Sequence, residues 1–248
     1  MMTALSITEA QIFTALGGVL SQFGLASTSG AMPIPIVRGQ VNRVPQPAQP
    51  DHVVMWPLLR TRLATNIDAT TDAQFLGSIA ANVLTVGHVV AGSPAIGQSL
   101  FGTGITPGCA ILSQISGTPN GAGAYQVSPT ANVAYGTIYN GTDAITQKTE
   151  LTVQVDIHGP ASADNAARIS TIWRDQACVD LFTANGGFVC PLYHSDPRQL
   201  PFENAENQVE ERWSIDLAMQ VNPVITLPTQ FAGTLVAATP IPVATVSP

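Results

Sequence analysis

Hydrophobic and polar positions alternate most regularly in two stretches of this 248-residue chain. In the first, Leu151, Val153, Val155 and Ile157 alternate with Thr152, Gln154, Asp156 and His158. In the second, Val209, Trp213, Ile215, Leu217, Met219 and Val221 share one phase, with Glu211 as its exception, and Glu210, Arg212, Ser214, Asp216, Ala218 and Gln220 fill the other. A period of two places each set on one side of a strand, so both stretches predict half-buried strands. His158 then reads as a solvated strand end, just before Gly159-Pro160. Elsewhere the period changes to that of a helix. Thr8-Glu9-Ala10-Gln11 has the form of a capping box, Ile12, Phe13, Leu16, Val19, Leu20 and Phe23 follow on one stripe, and Gly24 ends it. Ser162 or Asp164 caps a second helix with Ala166, Ile169, Ile172, Trp173, Ala177 and Phe182 along one side, closed by Asn185-Gly186-Gly187. Short extended segments are expected over 33–37 and 188–193, and a strand over 52–63 with a bulge or edge at Pro57.

The pattern breaks between Ala73 and Thr142, where there is no Asp, Glu, Lys or Arg. Short apolar runs (Leu84–Val86, Ala110–Leu112, Tyr125–Val127) alternate there with glycine-rich turn signals, of which Asn120-Gly121 is the strongest hairpin mark. Gly102, Gly104 and Gly108 have the spacing of turns, not of a phosphate-binding loop. The fold class expected is α+β: a mixed or antiparallel sheet flanked by helices, interrupted by a small all-β sandwich or barrel. The domains expected are a discontinuous core over 1–70 and 143–222, an inserted all-β module over 71–142, and an extension over 223–248. That extension carries no charge, and Val224, Ile225, Leu227, Phe231, Leu235 and Val236 are its candidates for docking on a neighbouring molecule.

Charged residues are 10% of the chain, against the usual quarter, so much of the surface is built from Ser, Thr, Asn, Gln and Gly. Such surfaces suit virion and secreted proteins and subunits buried against neighbours. Net charge is −7 and no basic cluster exceeds Arg60-Thr61-Arg62, so the electrostatic footprint of a nucleic-acid binder is missing. The apolar run Ala15–Ala26 has no basic residue before it and does not read as a secretion signal; no run has the length of a membrane span. Cys109, Cys178 and Cys190 are odd in number and lack metal spacing, which predicts free thiols and assembly in a reducing cytoplasm.

Catalytic chemistry finds no foothold. His52, His88, His158 and His194 show no metal-ligand spacing, and His194-Ser195-Asp196 are neighbours, whereas triads assemble from distant positions. Asn140-Gly141-Thr142 matches a glycosylation acceptor but has no secretory context. No enzyme, cofactor or metal is expected. Asp196, Glu203, Glu206, Glu210, Glu211 and Arg212 form a charged stretch with two readings: carboxylates lining a pore, or a subunit contact in which Arg198 and Arg212 pair with some of them.

Two further sets of residues carry a resemblance. Val37-Arg38-Gly39-Gln40-Val41-Asn42-Arg43-Val44-Pro45 with Val53–Leu59, and Val155–Pro160, Trp173-Arg174-Asp175 and Arg212–Ile215, resemble the neck terminator proteins of tailed bacteriophages, over about 5–68 and 145–225. The resemblance implies a structural virion protein of the tail or neck, assembled in the host cytoplasm. It implies a ring of copies, typically six, that caps the tail tube and joins it to head-side neck proteins. DNA would pass through such a ring without sequence-specific binding, and no membrane is involved. An alternative from a different class is a virion surface module whose β-insert stacks glycans on Tyr125, Tyr135 and Tyr139.

Overall fold

The computed structural model describes residues 5–30, 32–40, 47–203 and 209–230, with Phe202 described in its backbone only. Helix α1 (Glu9–Ser21) is followed by strands β1 (Ile36–Arg38), β2 (His52–Arg62), β3 (Ile67–Ala80) and β4 (Val83–Ala91). Then come β5 (Leu100–Phe101), β6 (Ala110–Gly117), β7 (Gly123–Ser128), β8 (Val133–Thr146) and β9 (Thr149–His158). Helices α2 (Ser162–Trp173) and α3 (Gln176–Ala184) precede β10 (Val189–His194), β11 (Arg198–Gln199), β12 (Phe202–Glu203) and β13 (Val209–Glu210). The last strands are β14 (Arg212–Val221) and β15 (Val224–Pro228). The chain divides into two compact units: Ala4–Ile67 with Ile145–Ile225, and Asp68–Ala144 with the described part of Thr226–Pro248.

In the first unit the strand order is β1-β2-β9-β14-β10, with β11 beside β14. The β1–β2 pair is parallel and the others are antiparallel. The first alternating stretch and the part of the second from Arg212 become its central pair, in register from Arg212↔His158 to Val221↔Thr149, while Val209 and Glu210, expected to begin the same strand, form β13 and pair with β12 instead. On the other side β2 pairs with β9 from His52↔His158 to Arg62↔Thr149, with a shift between Pro57 and Leu59. Pro57 has no N–H to give the ladder, so the strand bulges there. The apolar faces of the central strands meet Leu16 and Leu20 of α1, Ile169 and Trp173 of α2 and Phe182 of α3 in one cluster. Trp173 is fully enclosed, its indole N–H donating to the Tyr193 carbonyl at 3.1 Å and its ring edge-on to Phe182 at 5.7 Å. The capping box closes α1: Thr8 Oγ1 accepts from the Gln11 N–H, and the Gln11 side chain accepts from the Thr8 N–H.

Three expectations change. The second helix is two helices, because Asp175 takes an extended backbone and accepts from the Ala177 N–H, capping α3 and breaking the stripe. Neither Ser162 nor Asp164 caps α2; Ala161 stands at the cap and Ser162 is buried. His158 is buried instead of solvated, and Asp156 beside it is 2% exposed. The polar face of β9 is wet only toward Thr149 and is covered toward Gly159, so the period of two marks the strand but not the exposure of its second face.

The second unit is a seven-stranded sheet in the order β15-β8-β3-β4-β7-β6, with β5 beside β8. Ser99 bridges to Ala110 while Leu100 and Phe101 pair with Asn140 and Tyr139, so the segment entering β5 links β6 to β8 and the sheet closes round on itself. Phe75, Leu84, Ile111, Tyr125 and Ile138 fill its interior. Asn120-Gly121 sits in the β6–β7 turn, with Asn120 at φ 52°, the left-handed conformation that Asn tolerates. Among the described residues, strand outweighs helix by 49% to 16%. The sheet-rich class stands, but a helix-flanked α+β core overstates the helices: the molecule is mostly β with two main sheets.

Candidate functional site

Two surfaces of the first unit bear on function, and both grow from the register of β2, β9 and β14. At the His158 end of the sheet, the His52 and His158 rings stack at 4.6 Å and 6°. They are opposite one another because His52 and His158 are a register pair. The His52 Nδ1–H faces the carbonyls of Gln49 and Pro50, each at 3.1 Å. Burial, reinforced by His52 and by Arg212, pulls the pKa of His158 down to about 4, so the ring is neutral near pH 7. Arg212, across the ladder, pairs with the buried Asp156 at 2.7 Å, and Gln154 donates to the same carboxylate at 2.8 Å.

Asp51 ties this end together. Its carboxylate accepts from the Thr28 N–H at 2.7 Å, from the Thr28 hydroxyl, and from the Ala161 N–H at 2.9 Å. Burial is the largest single influence and opposes ionisation, but the bonds from Thr28 and Ala161 together outweigh it and hold the carboxyl below its ordinary value. Gly159 is required beside it: φ is +95°, and a Cβ there would lie 2.6 Å from the Asp51 carboxylate and the Pro50 carbonyl. Asp51 was not singled out by the sequence, where it is one acid in a proline-rich connection.

The charged stretch falls beside this knot. Glu210 and Glu211 line a cleft of about 470 Å³ with Pro47, Pro50, His52 and Pro160. Glu203 lies on β12, which pairs with β13 through Phe202↔Glu210 and Glu203↔Val209, so Glu203 and Glu210 share one small hairpin. Asp196 is exposed in the loop after β10, and Glu206 lies outside the described residues. Arg212 pairs within the chain with Asp156 (2.7 Å) and Arg198 with Asp216 (2.9 Å). Of the docking tail, Val224, Ile225 and Leu227 are in β15, an edge strand alongside β8, while Phe231, Leu235 and Val236 lie outside the described residues.

The second surface was not foreseen. Past Met55, no strand among the described residues pairs with β2 on the side away from β9. Leu58 (50% exposed), Leu59 (61%) and Leu63 (48%) stand there in water, and Ile67 (52%) follows at the end of the unit. An open edge carrying apolar side chains is a template for pairing with another chain. The signal in the sequence was Leu58-Leu59 continuing past the bulge at Pro57 with no polar phase.

Among the described residues no cluster of His, Cys, Asp and Glu is arranged to hold a metal ion, and the three cysteines are free, Cys190 exposed and the other two buried. No helix among them is long and apolar enough to cross a membrane. The sequence model of the phage neck terminator proteins matches residues 103–245, more than half of the chain, and the chain belongs to that family. The match takes in part of the glycine-rich unit, and it leaves out 5–68, where a resemblance was also read. The protein is thus a structural component of the phage tail or neck, a role that argues against catalysis. No curated protein matches the chain.

Proposed function

We propose that copies of this chain close into a ring, six in number, that caps the tail tube and joins it to head-side neck proteins around the DNA channel. The unit holding β2, β9 and β14 is the terminator core, with helices on its sheet, and the glycine-rich unit is an accessory to it. The observation that carries the ring is the β2 edge, which past Met55 has no partner strand on its outer side among the described residues and exposes Leu58, Leu59 and Leu63, a surface that a second copy would stabilise. The uncharged C-terminal extension is a second contact with a neighbour.

Asp196, Glu203, Glu206, Glu210 and Glu211 border the channel in this reading. The stretch from Asp196 to Arg212 holds five acids and two basic residues, a negative balance. DNA must slide, and basic walls would bind its phosphates. Sedimentation tests the ring: the full chain sediments as a closed oligomer, Leu58→Glu with Leu59→Glu shifts it toward monomer, and truncation after Gln230 weakens it less. A double variant that assembles as well as the parent chain overturns the β2 contact. Lys or Arg dominating the pore wall in an imaged ring overturns the repulsive channel.

A further inference from the structure

The second unit carries a groove that the ring reading does not use. It measures about 930 Å³, toward the upper end of the range of roughly 300–1,000 Å³ usual for ligand sites. Its walls come from the β5 region and from β8, which contributes Tyr135, Thr137 and Tyr139 among others, with Phe101, Thr103 and Gln230 around them. No residue lining it is charged. Tyr125, the third tyrosine considered for sugar stacking, is not part of it: the ring is fully buried and its hydroxyl donates to the Gly121 carbonyl at 2.6 Å.

Tyr135 gives the groove its character. It is 62% exposed, although a large aromatic ring gains by burial. Its phenol end rests over Gly87 of β4, where even a Cβ would come within 2.8 Å of the hydroxyl. The glycine makes room for the ring, and the ring is left to water. An aromatic side chain loses little conformational freedom when it binds, having only two side-chain torsions.

We propose that this groove binds a neutral oligosaccharide, with pyranose rings stacked by their C–H faces on Tyr135 and Tyr139. Sugar hydroxyls exchange hydrogen bonds with Thr103, Thr137, the tyrosine hydroxyls and the Gln230 amide. The chemistry selects this class over the others. A nucleic acid, a phosphorylated ligand or an acidic glycan needs cations, and the lining has none. A basic ligand needs carboxylates, which are equally missing. Aromatic rings beside hydroxyl and amide groups match a ligand that has one apolar face and a polar rim. The inference is independent of ring formation, since it concerns one unit of one chain.

Calorimetric titration of the full chain with maltotetraose, cellotetraose and tetra-N-acetylchitotetraose tests it, with polygalacturonate as the charged control. The expected result is saturable binding of at least one neutral saccharide, no binding of polygalacturonate, and an affinity reduced about tenfold or more by Tyr135→Ala. Gly87→Ala, which displaces the ring without removing it, weakens binding as well, and Tyr135→Phe weakens it least. Circular dichroism verifies the fold of each variant, and Tyr139→Ala replaces Tyr135→Ala if that one does not fold. Failure of all three saccharides to bind overturns the proposal, as does binding that survives the loss of the tyrosine in a folded protein.

Discussion

The two units bury similar kinds of core beneath very different polar chemistry. In the first, the end of the sheet is held by polar and charged groups taken out of water: Asp51 under three hydrogen bonds, Asp156 against Arg212, and a neutral His158 stacked on His52. In the second, the residues from Ala73 to Thr142 include no Asp, Glu, Lys or Arg, and stability rests on a closed ladder around Phe75, Tyr125 and Ile138. A sheet closed round needs few specific polar ties, because closure itself satisfies the backbone groups of most strands. An open mixed sheet that receives a proline-rich connection needs partners for each buried polar group, and these are supplied by charge. The contrast teaches that low charge is a property of one architecture and not of the whole molecule.

Damage to one core shows whether the other depends on it. Trp56, Trp173 and Trp213 all lie in the first unit, so tryptophan emission reports that unit by itself. Trp173→Ala removes a fully buried ring and its bond to Tyr193, and is expected to destabilise the first unit by roughly 3–5 kcal/mol. Amide exchange in β4, β6 and β7 stays slow if the units are energetically separate. Equal loss of protection in both means that they unfold as one.

Acid separates them next. The pKa of His158 is near 6.5 when unfolded and about 4 when folded, so the unfolded chain binds the extra proton between these values. The contribution is whole above about pH 6.5 and is lost as the pH falls toward 4, roughly 3 kcal/mol in all. Asp51 adds a second loss lower down, once the pH falls below its unfolded value. Between Ala73 and Thr142 there is no Asp, Glu, Lys or Arg, so denaturant melts followed by tryptophan emission fall with acid while exchange protection in β6 and β7 holds. A first unit equally stable at pH 7 and pH 4.5 contradicts the buried neutral histidine.

A smaller change sharpens the local side of the contrast. Thr8→Ala removes the capping box of α1 and is expected to cost about 1 kcal/mol in the first unit. A shift well above that in the melting curve places Thr8 in tertiary contacts too. The least effect is expected from replacing Asp68–Ala144 by a short Gly-Ser linker, which leaves the first unit's sheet pairs and apolar cluster intact. Loss of its cooperative melt would show that the glycine-rich unit completes the core.

Much of this was legible before any coordinates. The periods of β9 and β14 and of α1 survive because each reflects one apolar face packed on the core, information held in adjacent residues. Thr8 and Gln11, Pro57 and Asn120-Gly121 acted as local chemistry predicts, through caps, a missing N–H and a left-handed turn. What no local pattern carried was pairing over distance. Asp51 meets Ala161 across 110 residues, His52 finds His158, and β5 links the two sides of the closed sheet only after the chain has passed through β6, β7 and β8. The break between α2 and α3 was written locally at Asp175 but masked by an apolar stripe that runs on across it. Tyr125 and Tyr135 are the same residue in similar strands, yet one is core and the other is surface. The side of the sheet that each faces is decided by which strands close around it, and that is a property of the whole fold.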